Sequence, residues 1–560
     1  HLPDYIYSNI NGYGHYGAML TWYSLYWFIF ALVIILLSAM LWRKGNEVHI
    51  RYRLQWALRK MRPGHWVVLG GLVIMFLSTG FYLYQNRYVY NNYLSQEDEK
   101  EMKANFEKKF GKYEDASQPS PIHVRLVVDL MPEEREVDIR GHYLLKNKTL
   151  DTISEIYITL SDHYISRLNN LEFSREARLE SKAVELGFRI FNLAEPLFPG
   201  DTISLFFDVE AHVQGFSDNN PKNEIVANGT CLMFSGGENY QYFPGIGFSN
   251  TMVLKNKEDR KKYGLPERKN APGLLEYDPT KPYMATSLIT YDAEISTAGD
   301  QVVVSNGELV GQWTKEGRNY FHFRSDSLIH DELIIASGRY AVKSEKYDGV
   351  NIEVYYHPKH DFNIERIIRG VKSGLDFCGS TFSPFPYQTL RVVEIPDYMK
   401  TGGARSQPTV FIWREDAGFI RKLDEDGPLD DVFGIAAHEL GHQWWAYMVS
   451  PAKVEGVGLI TESVCNYIWT MCLENAYGKD DVDRYLKRDM DRYLRGRKRD
   501  VEGERAMAYT YDRQAYLNYF KGSLVMYALK DYIGEDSLRV ALSRLVQRFS
   551  WRYDTFPSSA

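Results

Sequence analysis

The sequence has few cysteines and no surplus of basic charge. Four cysteines among 560 residues, with no Cys-x-x-Cys pair, are too few for a disulfide framework. Lysine and arginine number 66 against 73 acidic residues, which argues against a nucleic-acid-binding protein, since such proteins usually carry a basic surplus. A hydrophobic fraction of 44% with 25% charged residues also excludes a mostly disordered or collagen-like chain. We therefore predict a folded protein of about three or four domains.

Residues 1–87 differ from the rest of the chain in charge and hydrophobicity. They hold eight lysines or arginines against two acids, whereas the whole chain has a net charge of −7. They also contain two long apolar runs, residues 16–42 and 66–84, with Trp or Tyr near their ends. Buried core helices are the alternative, but such helices seldom stay free of charge over the roughly 20 residues that cross a bilayer. We predict a hairpin of two transmembrane helices.

The connector between these runs is basic. Residues 43–65 contain seven lysines or arginines and one acid, Glu47. Short basic loops stay in the cytoplasm, so the first helix runs inward, the second runs outward, and everything after Arg87 lies outside the cytoplasm. Because the chain begins at His1 rather than Met, we expect it to be a piece of a longer protein, and in that case further membrane helices would lie upstream.

The remaining sequence changes character twice. Residues 88–121 are polar and dense in charge, which predicts a short exposed helix or stalk followed by a linker. Short alternating stretches rich in Val, Ile, Tyr and Phe then predict an antiparallel β domain over residues 122–345. The pattern turns helical from about Asn363, and we assign residues 346–560 to a mainly α domain.

The motif His438-Glu439-Leu440-Gly441-His442 is the strongest chemical signal. On a helix, positions i and i+4 share one face, so the two imidazoles can bind one zinc ion while Glu439 serves as general base. The alternative is that the two histidines are structural residues whose hydrogen bonds are made within the protein core. A catalytic zinc needs a third protein ligand, and the candidates are Glu455, in a glycine-rich loop, and Glu462. We favour Glu462, because it opens a helical stretch that can hold it against the first helix.

Peptide hydrolysis also requires a donor for the oxyanion of the tetrahedral intermediate. Tyr519, in the segment YLNYFKG just before a predicted helix, is the candidate. Because the chain has 41 tyrosines, composition alone supports this choice weakly.

These motifs resemble those of the aminopeptidase N family of zinc metallopeptidases, which are gluzincins. The resemblance lies in HELGHQWW, a glutamate after a helix break, YFKG, YDAEISTAGDQVVVSNG and ELIIASGRY, and it covers roughly residues 122–560. It implies a saddle-like antiparallel all-β domain followed by a mainly α, thermolysin-like peptidase domain. It also implies zinc ligation by His438, His442 and Glu462, a base at Glu439 and transition-state stabilisation by Tyr519.

The sequence departs from the common pattern of that family in its spacing. Nineteen residues separate His442 from Glu462, where most members have eighteen. The run QWWAYMVSPAKVEGVGLITES resembles instead a bacterial branch in which the peptidase is fused behind an ABC-exporter-type permease. This resemblance implies a multi-pass protein of the cell inner membrane with a periplasmic peptidase domain. It also implies membrane lipid and an ABC ATPase subunit as partners, beside the peptide substrate.

A second departure concerns substrate recognition. Most members of the family carry Gly-x-Met-Glu-Asn, whose glutamate holds the substrate's amino group, but here the stretch is Gly403-Ala404-Arg405-Ser406. The hydroxyl of Ser406 cannot supply that charge. Glu238, in SGGENYQYFPG, could replace the anionic anchor, although a surface acid is the alternative. Arg405 would favour an acidic or carboxylate-bearing peptide, unless it is an ordinary surface arginine.

We therefore expect a membrane-anchored zinc metallopeptidase that hydrolyses peptide bonds outside the cytoplasm, within a permease–peptidase fusion. The alternative is a catalytically degenerate, or highly specific, peptide-binding domain of a membrane transporter. The presence of all five zinc-binding and catalytic residues argues against a degenerate site. The absence of the glutamate that holds the substrate's amino group in the family favours one.

Overall fold

The computed structural model describes residues 5–42, 49–60, 62–91, 93–160, 166–183, 186–216, 224–235, 242–268, 271–280, 287–399, 402–423, 429–500, 503–510, 514–552 and 555–559. The chain forms an N-terminal helical hairpin, a β domain and a mainly α domain. The predicted order of a β domain followed by a mainly α domain is confirmed.

The N-terminal region consists of four helices: α1 (Tyr16–Met40), α2 (Ile50–Lys60), α3 (Pro63–Tyr84) and α4 (Gln96–Phe110). Helices α1 and α3 run antiparallel, because the ring of Trp22 lies 4.3 Å from that of Tyr82 and Tyr26 stacks 4.5 Å from Phe76. By length and composition, both helices could cross a membrane, and most of their side chains are exposed. The predicted apolar helices are therefore present.

The outer end of the hairpin is packed against the folded domains. Tyr16 and Met19, in the first turns of α1, and Leu83, at the end of α3, are buried in one apolar cluster with Phe216 and Tyr398. The hairpin is thus joined to both domains by side-chain contacts as well as by the chain.

The sequence predicts a short exposed helix or stalk and then a linker over residues 88–121; helix α4 is present there, but one of its faces is buried. Ser95 and Asp98 form a capping box at its start. Phe106 and Phe110 are fully buried against Phe188 of the β domain. These two aromatic residues are four positions apart, so they share one face of an otherwise charged helix and bury it.

Over its described residues, the β domain forms three sheets and one short α-helix, α5 (Lys257–Lys262). The strands are β1 (Ser120–Met131), β2 (Glu136–Lys146), β3 (Ile153–Thr159), β4 (Ser166–Phe173), β5 (Ala177–Ala183), β6 (Phe188–Leu197), β7 (Thr202–His212), β8 (Thr230–Ser235), β9 (Gly245–Ile246), β10 (Leu288–Ala298), β11 (Val302–Ser305), β12 (Glu308–Lys315), β13 (Arg318–Arg324), β14 (Ile329–His330) and β15 (Glu332–Gly338). The largest sheet has the order β12-β13-β10-β1-β2-β7-β4, with β14 on β10. The others are β5-β6-β3-β9 and β11-β15-β8.

One strand pair departs from the predicted antiparallel arrangement. Strands β1 and β10 lie parallel in the middle of the largest sheet, with His123 opposite Thr290 and Asp129 opposite Ser296. No tight turn joins these two strands, since most of the domain lies between them in sequence, and hairpin geometry therefore does not fix their direction.

The last domain contains a five-stranded sheet as well as helices, and the first of these helices lies between the second and third strands of the sheet. Its strands are β16 (Ala341–Tyr347), β17 (Val350–Tyr356), β18 (Thr389–Ile395), β19 (Ala404–Gln407) and β20 (Val410–Arg414). Its helices are α6 (Ile364–Thr381), α7 (Asp431–Gly441), α8 (Val464–Tyr477), α9 (Lys479–Arg499), α10 (Gly522–Ile533) and α11 (Glu535–Phe549). The boundary predicted near residue 345 falls inside β16. The sheet order is β16-β17-β18-β20-β19, which leaves β19 at an edge.

Candidate active site

Helix α7 carries both histidines of the zinc-binding motif. Its first turn is capped by Asp430, whose Oδ1 accepts a hydrogen bond from the Phe433 amide at 3.0 Å. Gly434 allows helix α8 to approach closely, because a Cβ atom at this position would lie 1.7 Å from the Trp469 ring. The helix ends at Gly441, with His442 as its C-cap, so the two histidines lie one turn apart on the buried end of the helix.

The third candidate ligand comes from the chain just before helix α8. Glu462 lies in a short helical turn, Leu459–Ser463. Its Oε2 is 3.4 Å from His438 Nε2 and 3.6 Å from His442 Nε2, and the two nitrogens are 3.2 Å apart. The structure therefore brings together the three predicted ligand side chains.

This arrangement fits a zinc ion. Zinc binds nitrogen and oxygen at about 2.0–2.1 Å, so tetrahedral ligands lie roughly 3.3 Å from each other, close to the three distances observed. Among the described residues, the buried Glu462 Oε2 has no hydrogen-bond partner other than the facing imidazoles. Burial would raise the pKa of Glu462, but the neighbouring His442 and His438 hold it well below its ordinary range. The carboxylate is thus charged and ready to bind a cation.

Glu455, the other candidate ligand, lies away from these histidines. Its carboxylate accepts a hydrogen bond from Arg505 at 2.8 Å, and its side chain is 12% exposed. It is a loop residue paired with an arginine, and it takes no part in the group of facing ligands.

The orientation of His442 is fixed by a break in the helix. Trp445 adopts a non-helical conformation, with φ −105° and ψ 70°, and its carbonyl oxygen lies 3.2 Å from His442 Nδ1. The Cys465 thiol also contacts Nδ1, at 3.4 Å. A proton held on Nδ1 by the carbonyl leaves Nε2 free to bind a metal. These partners of His442 were not predicted from the sequence.

Glu439 lies beside the histidines and is buried. Burial raises the pKa of its carboxyl group, although His438 and His442 partly oppose this effect. A carboxylate with a raised pKa is a better proton acceptor near neutral pH, which suits a general base.

Tyr519 lies beside the metal-binding group. Its ring stacks over His438 with centroids 6.1 Å apart. Burial and the neighbouring Glu462 raise the pKa of its hydroxyl well above the ordinary value. The phenol is therefore protonated and can donate a hydrogen bond. Asn466 donates a hydrogen bond to the Tyr519 carbonyl at 2.7 Å and so holds the segment against α8.

These five candidate zinc-binding and catalytic side chains line one cavity of about 600 Å³, together with Gly403, Ala404, Arg405 and Ser406. Glu238, the other predicted substrate residue, lies outside the described residues. The structure thus brings the candidate substrate stretch to the metal-binding group.

The Ser406 side chain faces the protein interior. Its Oγ accepts a hydrogen bond from Gln443 at 2.8 Å, and its carbonyl accepts one from the Tyr447 hydroxyl at 2.7 Å. Ser406 therefore contributes to the site through its backbone and carries no charge into the cavity.

Arg405 is paired with an acid that the sequence analysis missed. Its Nη2 lies 3.7 Å from Glu332 Oε2, and the Tyr447 hydroxyl approaches the same carboxylate at 3.1 Å. Glu332 is buried at the start of β15 and also lines the cavity. The sequence did contain a signal for Glu332. The acid pair Asp331-Glu332 stands at the start of an apolar strand, and an acid that is buried there needs a partner.

Comparisons with known proteins agree with this geometry. Residues 369–555 match the peptidase family M1 domain. Human endoplasmic reticulum aminopeptidase 2 is 23% identical over 214 residues, 36% of this chain and 22% of that protein. The bovine protein of the same name is 23% identical over 223 residues, 38% of this chain and 23% of that protein. The chain thus spans about a fifth of the length of these relatives.

Solved structures share the fold. An M1 zinc metallopeptidase from Deinococcus radiodurans superposes with a TM-score of 0.52 at 15% identity, covering 79% of this chain and 88% of that one. A mutant of it bound to a Tyr-Ser-Ala substrate gives 0.51 at 15% identity, covering 79% and 89%. Residues 369–555 therefore match a peptidase family M1 domain, a β domain precedes them, and the three facing side chains His438, His442 and Glu462 fit a zinc ion.

Proposed function

We propose that this protein hydrolyses peptide bonds in an aminopeptidase-like manner, on the extracytoplasmic face of a membrane that its N-terminal helices span. One observation supports the activity most: His438, His442, Glu462, Glu439 and Tyr519 come from three separate segments and meet in one cavity. A catalytically dead domain has no physical need for the last two groups beside a metal site.

The roles of the side chains follow from their positions. His438, His442 and Glu462 would hold a zinc ion, which would supply Lewis-acid chemistry that activates water and polarises a carbonyl. The Glu439 carboxylate accepts a proton from the attacking water and passes it to the leaving nitrogen. The Tyr519 hydroxyl donates a hydrogen bond to the carbonyl oxygen as negative charge develops there.

The edge strand β19 offers a place for an extended peptide. It pairs with β20 on one side, and its residues 404–406 line the cavity. An extended peptide can add to such an edge through backbone hydrogen bonds, which would carry its scissile bond past Glu439.

Removing a zinc ligand tests the metal-dependent part of the proposal. We expect Glu462→Gln to lose most of its bound zinc, because a neutral amide replaces a charged ligand. The fall in zinc affinity should exceed roughly 10–100-fold, which is the effect of mutating residues that only hydrogen-bond to the metal ligands. Zinc content by atomic spectroscopy, read beside peptide hydrolysis, measures both effects. Glu455→Gln, outside the cavity, should keep zinc and activity. Full zinc content in Glu462→Gln would contradict the ligand assignment.

Arg405 should select peptides by charge. We expect Arg405→Gln to lower kcat/KM about 10- to 100-fold for peptides with an acidic side chain or carboxylate near the scissile bond, because hydrogen bonds to charged groups contribute about 1.5–3 kcal/mol. Matched peptides carrying Gln in place of Glu should be cleaved at nearly unchanged rates. Arg539→Gln, on the surface of α11, is the control. An equal loss for both peptides would remove Arg405 from specificity.

The membrane location is supported by the two exposed apolar helices and by the basic connector between them. Membranes containing the chain should retain it in alkaline carbonate and release it in detergent. Protease added outside intact cells or spheroplasts should digest the peptidase domain. Release by carbonate would contradict the anchor, and protection from external protease would contradict the orientation.

The resemblance to permease–peptidase fusions supports a further step, in which this membrane is a bacterial inner membrane and the chain works with an ABC ATPase subunit. The alternative function is a peptide-binding domain of such a transporter, and the uncharged Ser406 favours it. Peptide binding without cleavage by the zinc-loaded chain would support that alternative.

A further inference from the structure

Two segments at the outer end of the helical hairpin expose an unusual number of apolar and aromatic side chains. One segment precedes α1, and the other continues α3 as a short helical turn, Gln85–Tyr90. Their exposed side chains are between 46% and 54% accessible, and we call them the tyrosine collar: Tyr5, Ile6, Tyr7, Tyr13, Tyr84, Tyr88, Val89 and Tyr90. Within each segment neighbouring exposed rings touch, as between Tyr5 and Tyr13 or Tyr84 and Tyr88, and exposed apolar groups of this kind usually mark a contact surface.

The collar is carried on backbone that is bound to the folded domains. The Ile10 amide donates a hydrogen bond to the Glu415 carboxylate at 3.1 Å, and the Ile10 carbonyl accepts one from Asn228 at 3.0 Å. Asn11 donates to the Tyr398 hydroxyl at 3.2 Å. On the other segment, Asn91 donates to the Phe216 carbonyl at 3.0 Å. The collar tyrosines therefore keep a defined position relative to the domains.

The chemistry of the collar fits the boundary of a bilayer. Residues 5–42 contain no lysine, arginine, aspartate or glutamate, so the first collar segment continues into α1 without a charge that would oppose contact with lipid. The second segment carries one charge, Arg87, whose guanidinium lies over the rings of Tyr88 and Tyr93. Tyrosine has an apolar ring and a polar hydroxyl, and such rings concentrate at the level of the headgroups.

The collar also lies close to the catalytic cavity. The ring of Tyr398 contacts those of His15 and Tyr16, at 4.9 and 6.0 Å between centroids. Met399 belongs to the same buried cluster. Gly402, three residues further on, lines the cavity. Because three residues span at most about 11 Å, the rim of the cavity lies near the surface from which the membrane helices emerge.

We propose that the tyrosine collar lies in the outer headgroup layer and holds the catalytic cavity at the membrane surface, so that the substrates are peptide segments presented close to the bilayer. This inference rests on the proposed function, since it requires both the peptidase activity and the membrane anchor. The partner of the collar is a phospholipid surface.

The test compares peptides of one sequence in vesicles that contain the full chain. The peptide is supplied free, or joined to a phospholipid by a spacer of about five or about 20 residues, which reach roughly 17 Å and 70 Å when extended. Confinement to one vesicle raises the rate for both spacers. A cavity at the surface should cleave the short-spacer peptide at least as fast as the long-spacer one, and about 10-fold or more faster than the free peptide. Cleavage with the long spacer alone would overturn the proposal.

A collar variant separates this effect from catalysis. The triple variant Tyr5→Ser, Tyr7→Ser and Tyr13→Ser should cleave the free peptide at the wild-type rate but lose most of its preference for the short spacer. Tyr532→Ser, at a highly exposed position on α10, should keep that preference. An unchanged preference in the triple variant would show that the collar does not hold the catalytic domain at the membrane surface.

A measurement independent of peptidase activity keeps the two proposals distinguishable. The four native cysteines are buried, so a polarity-sensitive dye can be attached at Tyr13→Cys, with Tyr532→Cys as the control position. In vesicles, we expect the dye at position 13 to shift to the blue and to be quenched by headgroup-labelled lipid, whereas the control dye should show neither effect. Equal responses at both positions would overturn the collar assignment even if no peptide is cleaved.

Discussion

Replacing Glu439 with Gln is expected to lower kcat by about 10²–10⁴-fold, the range that general acid–base catalysis contributes. The amide is nearly the same size as the carboxylate, but it cannot accept the proton of the attacking water. His438, His442 and Glu462 are unchanged, so zinc content should remain that of the wild type. Steady-state cleavage of one peptide, with zinc measured in the same preparation, checks both expectations.

Glu365→Gln is a matched control for this substitution, because Glu365 is an exposed glutamate on α6 that pairs with Lys343. It should leave kcat and zinc content unchanged. If Glu439→Gln kept wild-type turnover with zinc bound, another group would have to act as the base. If it lost its zinc, the fall in rate would say nothing about proton transfer, and the assignment would need a different test.

Replacing Tyr519 with Phe is expected to lower kcat by about 10²–10³-fold with little change in KM, because an oxyanion donor acts in the transition state and hardly at all on bound substrate. Phenylalanine keeps the ring that stacks on His438 and removes only the hydroxyl. Separate determination of kcat and KM on the zinc-loaded chain measures this effect.

Tyr516→Phe provides the comparison for Tyr519→Phe. Tyr516 lies in the same helical turn, Tyr516–Lys521, but its hydroxyl donates a hydrogen bond to Asp500 at 2.7 Å, and it does not line the cavity. We expect its kcat to stay close to that of the wild type. A similar fall in both variants, or a Tyr519→Phe effect confined to KM, would remove Tyr519 from transition-state stabilisation.

The chemistry of the site was largely predictable because it depends on local spacing. Residues four apart on a helix share a face whatever the surrounding fold, so His438 and His442 could be paired from the sequence. Glu462 could be preferred over Glu455 because it leads directly into a helix. The structure places the former with the histidines and the latter with Arg505.

Contacts between distant segments were not predictable in this way. The salt bridge between Glu332 and Arg405 joins β15 to β19, and no local pattern relates these strands. The parallel pairing of β1 with β10 depends on the packing of the whole β domain. Phe106 and Phe110 are buried because their face of α4 packs against Phe188, a residue distant in sequence. The many charged residues of α4 gave no indication of this contact.

The most direct test of the proposed peptidase is a mass-spectrometric digest of a mixed peptide library by the zinc-loaded full chain, with Glu439→Gln in parallel. Half of the library carries free N-termini and half carries acetylated ones. We predict product peptides with the wild type and none with the variant. Cleavage restricted to free N-termini would identify an aminopeptidase. An intact library, with zinc bound to the wild-type chain, would contradict the proposed hydrolytic function.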